Sequence, residues 1–288
     1  MNVLAFGEIL WDIIEGKPYI GGAPFNFAAH VVKNKGAAAI LSAVGSDDLG
    51  KQAVGEAARL GVDTSLIQVH NTRPTGTVDV FLKDGQPDYT IHESVAFDDI
   101  VVEDISVIGR KNFDVFYFGS LAQRETRSRL TLDYILNHFQ FRHIFYDINI
   151  RKTYYSPTII RKSLENATIF KINDHESQLV SELFYGSILE LDEFSRRISE
   201  DFNVPLVIIT AAEKGCFIRS GSTFDHVPAV PVTVADAVGA GDAFSAAFIS
   251  QLFSGSDHLT ASRHANAVGA FVASQRGAIP EYPDLFQT

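Results

Sequence analysis

Cysteine is almost absent: Cys216 is the single one in 288 residues. One thiol cannot close an intrachain disulfide, so no disulfide framework holds this fold, and the chain fits a reducing cytoplasm. Cys216 follows a β-like run, where a lone thiol more often fills a core than attacks a substrate. Positive charge is also short, with 24 Lys and Arg against 35 Asp and Glu, a formal net charge of −11. Nucleic acids and anionic membranes both need a positive field, so neither is expected as a partner. An acidic surface does not exclude ATP, which local loops can hold. No uncharged apolar run approaches the about 20 residues that a membrane helix needs. The opening MNVLAFGEILWDII carries Glu8 and Asp12 but no basic n-region, so it reads as a first strand and not as a signal peptide. The nine histidines form no HExxH and no i, i+4 pair, which argues against zinc, and there is no GxSxG elbow.

What is present is ordinary in bulk and ordered in detail. Hydrophobic residues make up 46% and charged residues 20%, as in a globular protein long enough for one large domain or two small ones. Short β-branched or aromatic runs at 3–6, 39–44, 115–119, 143–147, 168–172 and 204–210 predict strands. Helix-like segments separate and follow them at 26–35, 49–60, 126–139, 157–165, 175–184, 191–202, 240–252 and 259–275. Strands apolar on both faces, alternating with helices, predict a mostly parallel sheet covered by helices. One segment breaks this rhythm. Residues 75–91 alternate in the manner of two or three strands around the hairpin residues Lys83, Asp84 and Gly85. Such a flap is either a lid over a cleft or an antiparallel extension of the sheet edge.

The most informative stretch is DAVGAGDAFSAAF at 236–248. Gly239 and Gly241 let backbone N–H groups point outward, and the following helix start adds unpaired donors and a positive dipole end. An aspartate in an anion seat would repel phosphate. It makes sense if Asp242 takes the proton of an attacking hydroxyl while the N–H groups hold a phosphoryl group. The alternative is a glycine turn with Asp242 as a helix cap. A second glycine-rich turn, GGAPFN at 21–26, precedes another helix-like segment. There Gly22 permits close backbone approach to a ligand, and Asn26 either meets a sugar hydroxyl or caps the helix. Asp12 is expected just past the end of the first strand, where open α/β sheets bind ligands.

Two more polar clusters follow predicted strands: DINIR at 147–151 and KINDHE at 171–176. Arg151 suits a planar grip on phosphate oxygens, and Asn173 and Glu176 offer oxygen ligands for hydrated Mg²⁺. The run Gly45 to Lys51 fits GxxxxGK, but Gln52 stands where a P-loop needs Ser or Thr, and Asp47 and Asp48 would repel the phosphate.

GGAPFN and DAVGAGD, in this order, resemble the two signatures of the PfkB (ribokinase-like) carbohydrate kinases. GEILWD, YFGSLAQR, DINIR and KINDHE look most like bacterial fructokinases. The resemblance runs over the whole chain. It implies a ribokinase-like three-layer α/β sandwich, one domain over 1–288, with a small β lid from segments near 11–20 and 72–97. It implies an ATP- and Mg²⁺-dependent sugar kinase acting on D-fructose. Kinases for ribose, 2-keto-3-deoxygluconate or a nucleoside, and a non-catalytic binding regulator, are the alternatives. By position, Asp242 would be the base, and the N–H groups of Gly239, Ala240 and Gly241 the anion hole. Asp12, Gly22 and Asn26 would hold the sugar, with Asn149 and Arg151 beside it near the phosphates. Asn173 and Glu176 would position Mg²⁺ and phosphate. Thr210, Gly215, Gly241 and Asn266 would line the nucleotide, although Ala212 replaces a glycine usual in the family. Some relatives use a monovalent cation such as K⁺ beside the anion hole, and a homodimer through the lid is compatible with the pattern.

Overall fold

The alternating runs do become strands and helices of a three-layer sandwich. The computed structural model describes residues 1–83, 86–102, 106–283 and 286, with the side chains of 82, 83 and 86–88 left aside. Asp84 and Gly85 of the expected hairpin turn lie outside the described residues. The chain begins with β1 (Asn2–Phe6), then β2 (Leu10–Ile14) and β3 (Lys17–Gly21), helix α1 (Ala23–Lys33) and β4 (Ala37–Gly45). Next come α2 (Asp48–Arg59), β5 (Ile67–His70), β6 (Gly76–Lys83), β7 (Gln86–Ile91), α3 (Ser106–Lys111) and β8 (Val115–Phe118). The middle adds α4 (Thr126–His138), β9 (His143–Asp147), α5 (Pro157–Asn166), β10 (Ile169–Asn173), α6 (Asp174–Tyr185) and α7 (Leu191–Phe202). Strands β11 (Leu206–Thr210), β12 (Cys216–Ser220) and β13 (Thr223–Val227) precede the last two helices, α8 (Ala240–Phe253) and α9 (His258–Ala273).

Nine strands form the main sheet in the order β13-β12-β11-β10-β9-β8-β1-β4-β5. All pairs from β11 to β5 are parallel, and only β12 and β13 run antiparallel at one edge. The period-2 alternation of each strand sends residues to two separate cores. Val3 and Ala5 pack with α1, α8 and α9 on one face, whereas Leu4 and Phe6 pack with α4, α5, α6 and α7 on the other. The strand order reverses beside β1, because the chain builds β4 and β5 on one side and then crosses to β8 on the other. A crevice at the carboxyl ends of the strands is expected at such a switch point. Among the described residues no helix is long and apolar enough to cross a membrane.

Residues 75–91 form a hairpin but not an extension of the main sheet. A separate four-stranded sheet, ordered β3-β2-β6-β7, combines it with residues 10–21. The β2–β6 pair is parallel and the two flanking pairs are antiparallel. The expected two or three strands are therefore four, and both segments anticipated for a lid take part. Strands β5, β12 and β13 had no counterpart in the sequence reading: β5 and β13 are mostly exposed or half-buried, and in β12 Arg219 interrupts a short apolar run.

The exit from the small sheet is held by a buried ion pair. Arg124 Nε and Nη2 donate to the two carboxylate oxygens of Asp98 at 2.7 and 2.9 Å, and Nη2 also donates to the His92 carbonyl at 2.7 Å. The guanidinium lies 4.8 Å from the ring centres of both Phe97 and Tyr154. Both charged side chains are almost fully buried, at 4% and 0% exposure. Arg124→Met would strand the Asp98 carboxylate, and should cost about 3–5 kcal/mol of unfolding free energy. Chemical denaturation checks this; an unchanged midpoint would contradict the role given to the pair.

Candidate active site

Two helix starts meet at the crevice, and glycine makes each possible. Gly22 caps α1 with a φ of 109°, and a Cβ there would lie 2.4 Å from the Glu8 carbonyl oxygen. Gly239 caps α8 with a left-handed φ of 79°, and a Cβ would lie 2.4 Å from the Ala278 carbonyl oxygen. Only glycine fits either place. Gly241 is different: a Cβ would meet only Lys171 Nζ, at an ordinary 3.5 Å. The conformational demand of this turn falls on Gly239 alone.

The capping alternatives for Asn26 and Asp242 do not hold, because the caps are Gly22 and Gly239. Helices α1 and α8 pack side by side, so Asn26 Nδ2 reaches Asp242 Oδ2 at 2.9 Å. Asn26 Oδ1 is buried with no partner among the described residues. In the first turn of α8, the Ala243 N–H donates to the Gly239 carbonyl at 2.8 Å, and the Ala240 N–H leans to the Ala237 carbonyl at 3.3 Å. The N–H groups of Gly241 and Asp242 remain as first-turn donors at the positive end of the helix.

Carboxyl groups crowd this end of the sheet. Burial pushes Asp242 up to about 6, with the negative charge of Asp147 adding to the rise and Asn26, Lys171 and Arg151 opposing it. Burial likewise raises Glu8 to about 7, against the pull of Arg151. Asp12 rises to about 6, again through burial, with Arg151 opposing and Asp236 assisting. Asp12 is not in a loop after β1, as expected, but inside β2, so the small sheet carries it to the crevice. Arg151 is the exposed cation that all three carboxyls feel. It follows β9 through Asn149, which takes a left-handed φ of 43°, a region that asparagine tolerates better than most residues.

Asn173 and Glu176 form a reciprocal cap at the start of α6. The Glu176 N–H donates to Asn173 Oδ1 at 2.8 Å, and the Asn173 N–H to Glu176 Oε2 at 3.0 Å. Glu176 Oε1 accepts from the Ile150 N–H at 2.7 Å, which ties α6 to the Arg151 loop. Among the described residues no three His, Cys, Asp or Glu side chains converge as a metal cage. Farther along the edge, Thr210 ends β11 opposite Asn173. Gly215 has a φ of 92° and packs under the carbonyl of Val227, while Asn266 Nδ2 donates to the carbonyls of Val227 and Pro228. Ala212 keeps a left-handed φ of 44° although it is not glycine. In the GxxxxGK run, the Asp47 carboxylate itself caps α2, accepting from the Gly50 N–H at 2.8 Å, so that loop is no phosphate cradle. Cys216 is buried in β12, where burial pushes its thiol up to about 12; this is core filler, as expected.

Sequence reading singled out neither Glu8 nor the buried group around Asp147. Lys171 Nζ donates to both oxygens of Asp147 at 3.0 and 2.8 Å, and Tyr117 and Ser245 add their hydroxyls to Oδ2 at 3.1 and 2.9 Å. A lysine inside the apolar run TIFKIN was the available signal, since a buried ammonium needs an anion.

The two glycines of the α8 turn can be separated experimentally. Gly239→Ala should destabilise the fold by more than 1 kcal/mol on the order given by left-handed strain and the clash. Gly241→Ala should leave stability unchanged or raise it by up to about 1 kcal/mol, as alanine favours helix. Thermal or urea unfolding of both variants checks this, and equal losses would contradict the assignment.

Comparison with known proteins agrees with this fold. The family model described as pfkB family carbohydrate kinase matches residues 6–285. Fructokinase-1 of Oryza sativa is 25% identical over 309 residues, covering 98% of this chain and 94% of that protein. The crystal structure of an uncharacterized sugar kinase from Pyrococcus horikoshii in complex with ATP superposes with a TM-score of 0.84 at 26% identity, covering 97% of this chain and 94% of that one. Fructokinase from Vibrio cholerae O395, solved with fructose, ADP and calcium, shares the fold at a TM-score of 0.84 and 22% identity, over 100% and 99% of the two chains. With the family match spanning nearly the whole chain, and with the two signature turns facing each other across the crevice, this protein belongs to the pfkB family of carbohydrate kinases.

Proposed function

We propose that this kinase transfers the γ-phosphoryl group of ATP to the 6-hydroxyl of D-fructose, with Asp242 as the base. The observation that carries the base is the 2.9 Å contact between Asn26 and Asp242 at the mouth of two helix N-termini. It puts a hydroxyl-recognising amide, a carboxylate and unpaired N–H donors within one small volume. The preference for fructose rests on the motif resemblance and on plant fructokinases among the relatives.

In this reading Asp12, Gly22, Asn26, Asn149 and Arg151 orient the sugar. The carboxylate of Asp242 takes the hydroxyl proton as the new oxygen–phosphorus bond forms and the bond from Pγ to the bridging oxygen of ADP breaks. The N–H groups of Gly239, Gly241 and Asp242 would face charge that grows on the phosphoryl oxygens, whereas the N–H of Ala240, also expected there, is turned to the Ala237 carbonyl. Positioning supplies most of the acceleration, since a loose transition state needs little covalent help. The small sheet, which carries Asp12, would act as the lid that keeps water from the phosphoryl group. Thr210, Gly215 and Asn266 border the expected nucleotide side, Asn266 by fixing the Val227–Pro228 backbone over Gly215. The donors present suit Mg²⁺ that arrives on the nucleotide with its waters, with Asn173 and Glu176 as outer partners, and not an all-protein cage. Bound there, Mg²⁺ would neutralise phosphate charge. Ile14, Tyr19 and Phe81, exposed on the small sheet, suit cover by a second copy.

Sugar-dependent ADP release with Mg·ATP, across fructose, ribose, 2-keto-3-deoxygluconate, adenosine and tagatose, tests the reading. Fructose should be preferred, and Asp242→Ala should lower turnover by about 10²–10⁴-fold. Turnover of another sugar would move the substrate and keep the mechanism. Near-normal turnover in Asp242→Ala would remove it as the base, and silence on every sugar with ATP still bound would mean a non-catalytic binding protein. Exchanging K⁺ for Na⁺ in the same assay reads any monovalent-cation requirement.

A further inference from the structure

Lys171 is a charged residue in the interior of a central parallel strand, a place where charge survives only with full compensation. It stands directly opposite Asp147 in the β9–β10 register, and its ammonium group takes both oxygens of that carboxylate. The pair does not stop at the sheet. Ser245, one turn into α8, places its hydroxyl 2.9 Å from Asp147 Oδ2 and 3.0 Å from the carbonyl of Gly241. From the other side, the Cβ that Gly241 lacks would fall 3.5 Å from Lys171 Nζ. The ammonium group therefore lies immediately beneath the turn that presents Gly241 and Asp242. Tyr117, from β8, closes the group with its own hydrogen bond to Asp147.

We propose that Lys171, locked to Asp147 and joined through Ser245 to the Gly241 turn, is a positioning residue for the base, holding the start of α8 from below and presenting its positive charge to Asp242. The inference rests on Asp242 being the base, but its test does not need turnover. Lysine suits the task because its charge is a single compact point, which here lies under the turn while bound to both oxygens of Asp147. The groups that face Asp242 are Asn26 from α1, Glu8 after β1, Tyr117 from β8, Asp147 from β9, Arg151 beyond it and Lys171 from β10. Of these, Asp147 and Lys171 act in opposite directions on the Asp242 carboxyl. Removing one should unbalance it, and removing both should restore it.

Carbon-13 NMR titration of the Asp242 carboxyl, identified by its loss in Asp242→Asn, provides the readout. Lys171→Met should move the midpoint upward by on the order of one unit, and Asp147→Asn should move it downward. The double variant, a neutral pair of similar volume, should return close to the parent midpoint. A purely structural pair would leave all midpoints alike, or move both single variants the same way, and either result would overturn the proposal. If Lys171→Met does not fold, Asp147→Asn and the double variant decide by the same criterion. Absence of turnover with every sugar would count against the function proposed above, while the titration still decides the role of Lys171.

Discussion

Everything at the crevice depends on two helix starts being pressed together. Helix α1 brings Asn26, and α8 brings Asp242 with its first-turn N–H groups, from positions more than two hundred residues apart in sequence. Neither helix could begin where it does without glycine, since any side chain at Gly22 or Gly239 would strike a carbonyl oxygen of the neighbouring segment. Asp242 itself is half-buried, and desolvation drives its carboxyl up to about 6 against the pull of the Asn26 hydrogen bond. One packing constraint thus sets the position of Asp242 and its hydrogen-bond partner.

The surrounding structure reads as support for that contact. His30, further along α1, is pushed down to about 4 by burial, and so packs as the neutral ring. Its Nε2 faces the Ala278 carbonyl at 2.9 Å, while Tyr282 hydrogen-bonds to Nδ1 at 2.7 Å. Ala278 is the residue against which Gly239 turns, so α1 also fixes the back wall of the α8 turn. Asp236 ties the same wall from its other side, accepting from the N–H groups of Val238 and Gly277 at 3.0 and 3.1 Å. On the other face of the sheet, the cap of α6 holds the Arg151 loop through Glu176 and Ile150. Strands and helix starts carry Asp12, Asn26, Asp242 and Asn173 to this edge, and loops held by hydrogen bonds bring Glu8, Asn149 and Arg151.

Much of this was legible in the chain itself. The parallel core announced itself through strands such as 3–6 and 206–210, apolar on both faces, and the two glycine turns marked the helix starts that matter. Asp12 was expected in a loop after the first strand and lies instead inside β2, because a half-buried strand and a loop look alike over a few positions. The edge strands β12 and β13 lacked a clear apolar period. Ala212 shows a different limit: its backbone takes the left-handed turn that favours glycine, so the residue type does not report the conformation. Lys171 and Asp147 escaped for a third reason. Their meaning lies in a cross-strand register, which no local pattern contains, although a lone lysine among buried apolar neighbours is a visible anomaly.

The central claim is that the half-buried Asp242 must be ionised for the sugar to be phosphorylated. The pH dependence of kcat/KM for the sugar that turns over tests it most directly, because that profile reports the free enzyme. Activity is expected to rise with pH along a limb whose midpoint lies near 6, the value to which burial lifts the Asp242 carboxyl. A profile that stays flat down to the ordinary aspartate range near 3.8 would contradict it, because the residue doing the work would then not be this desolvated one.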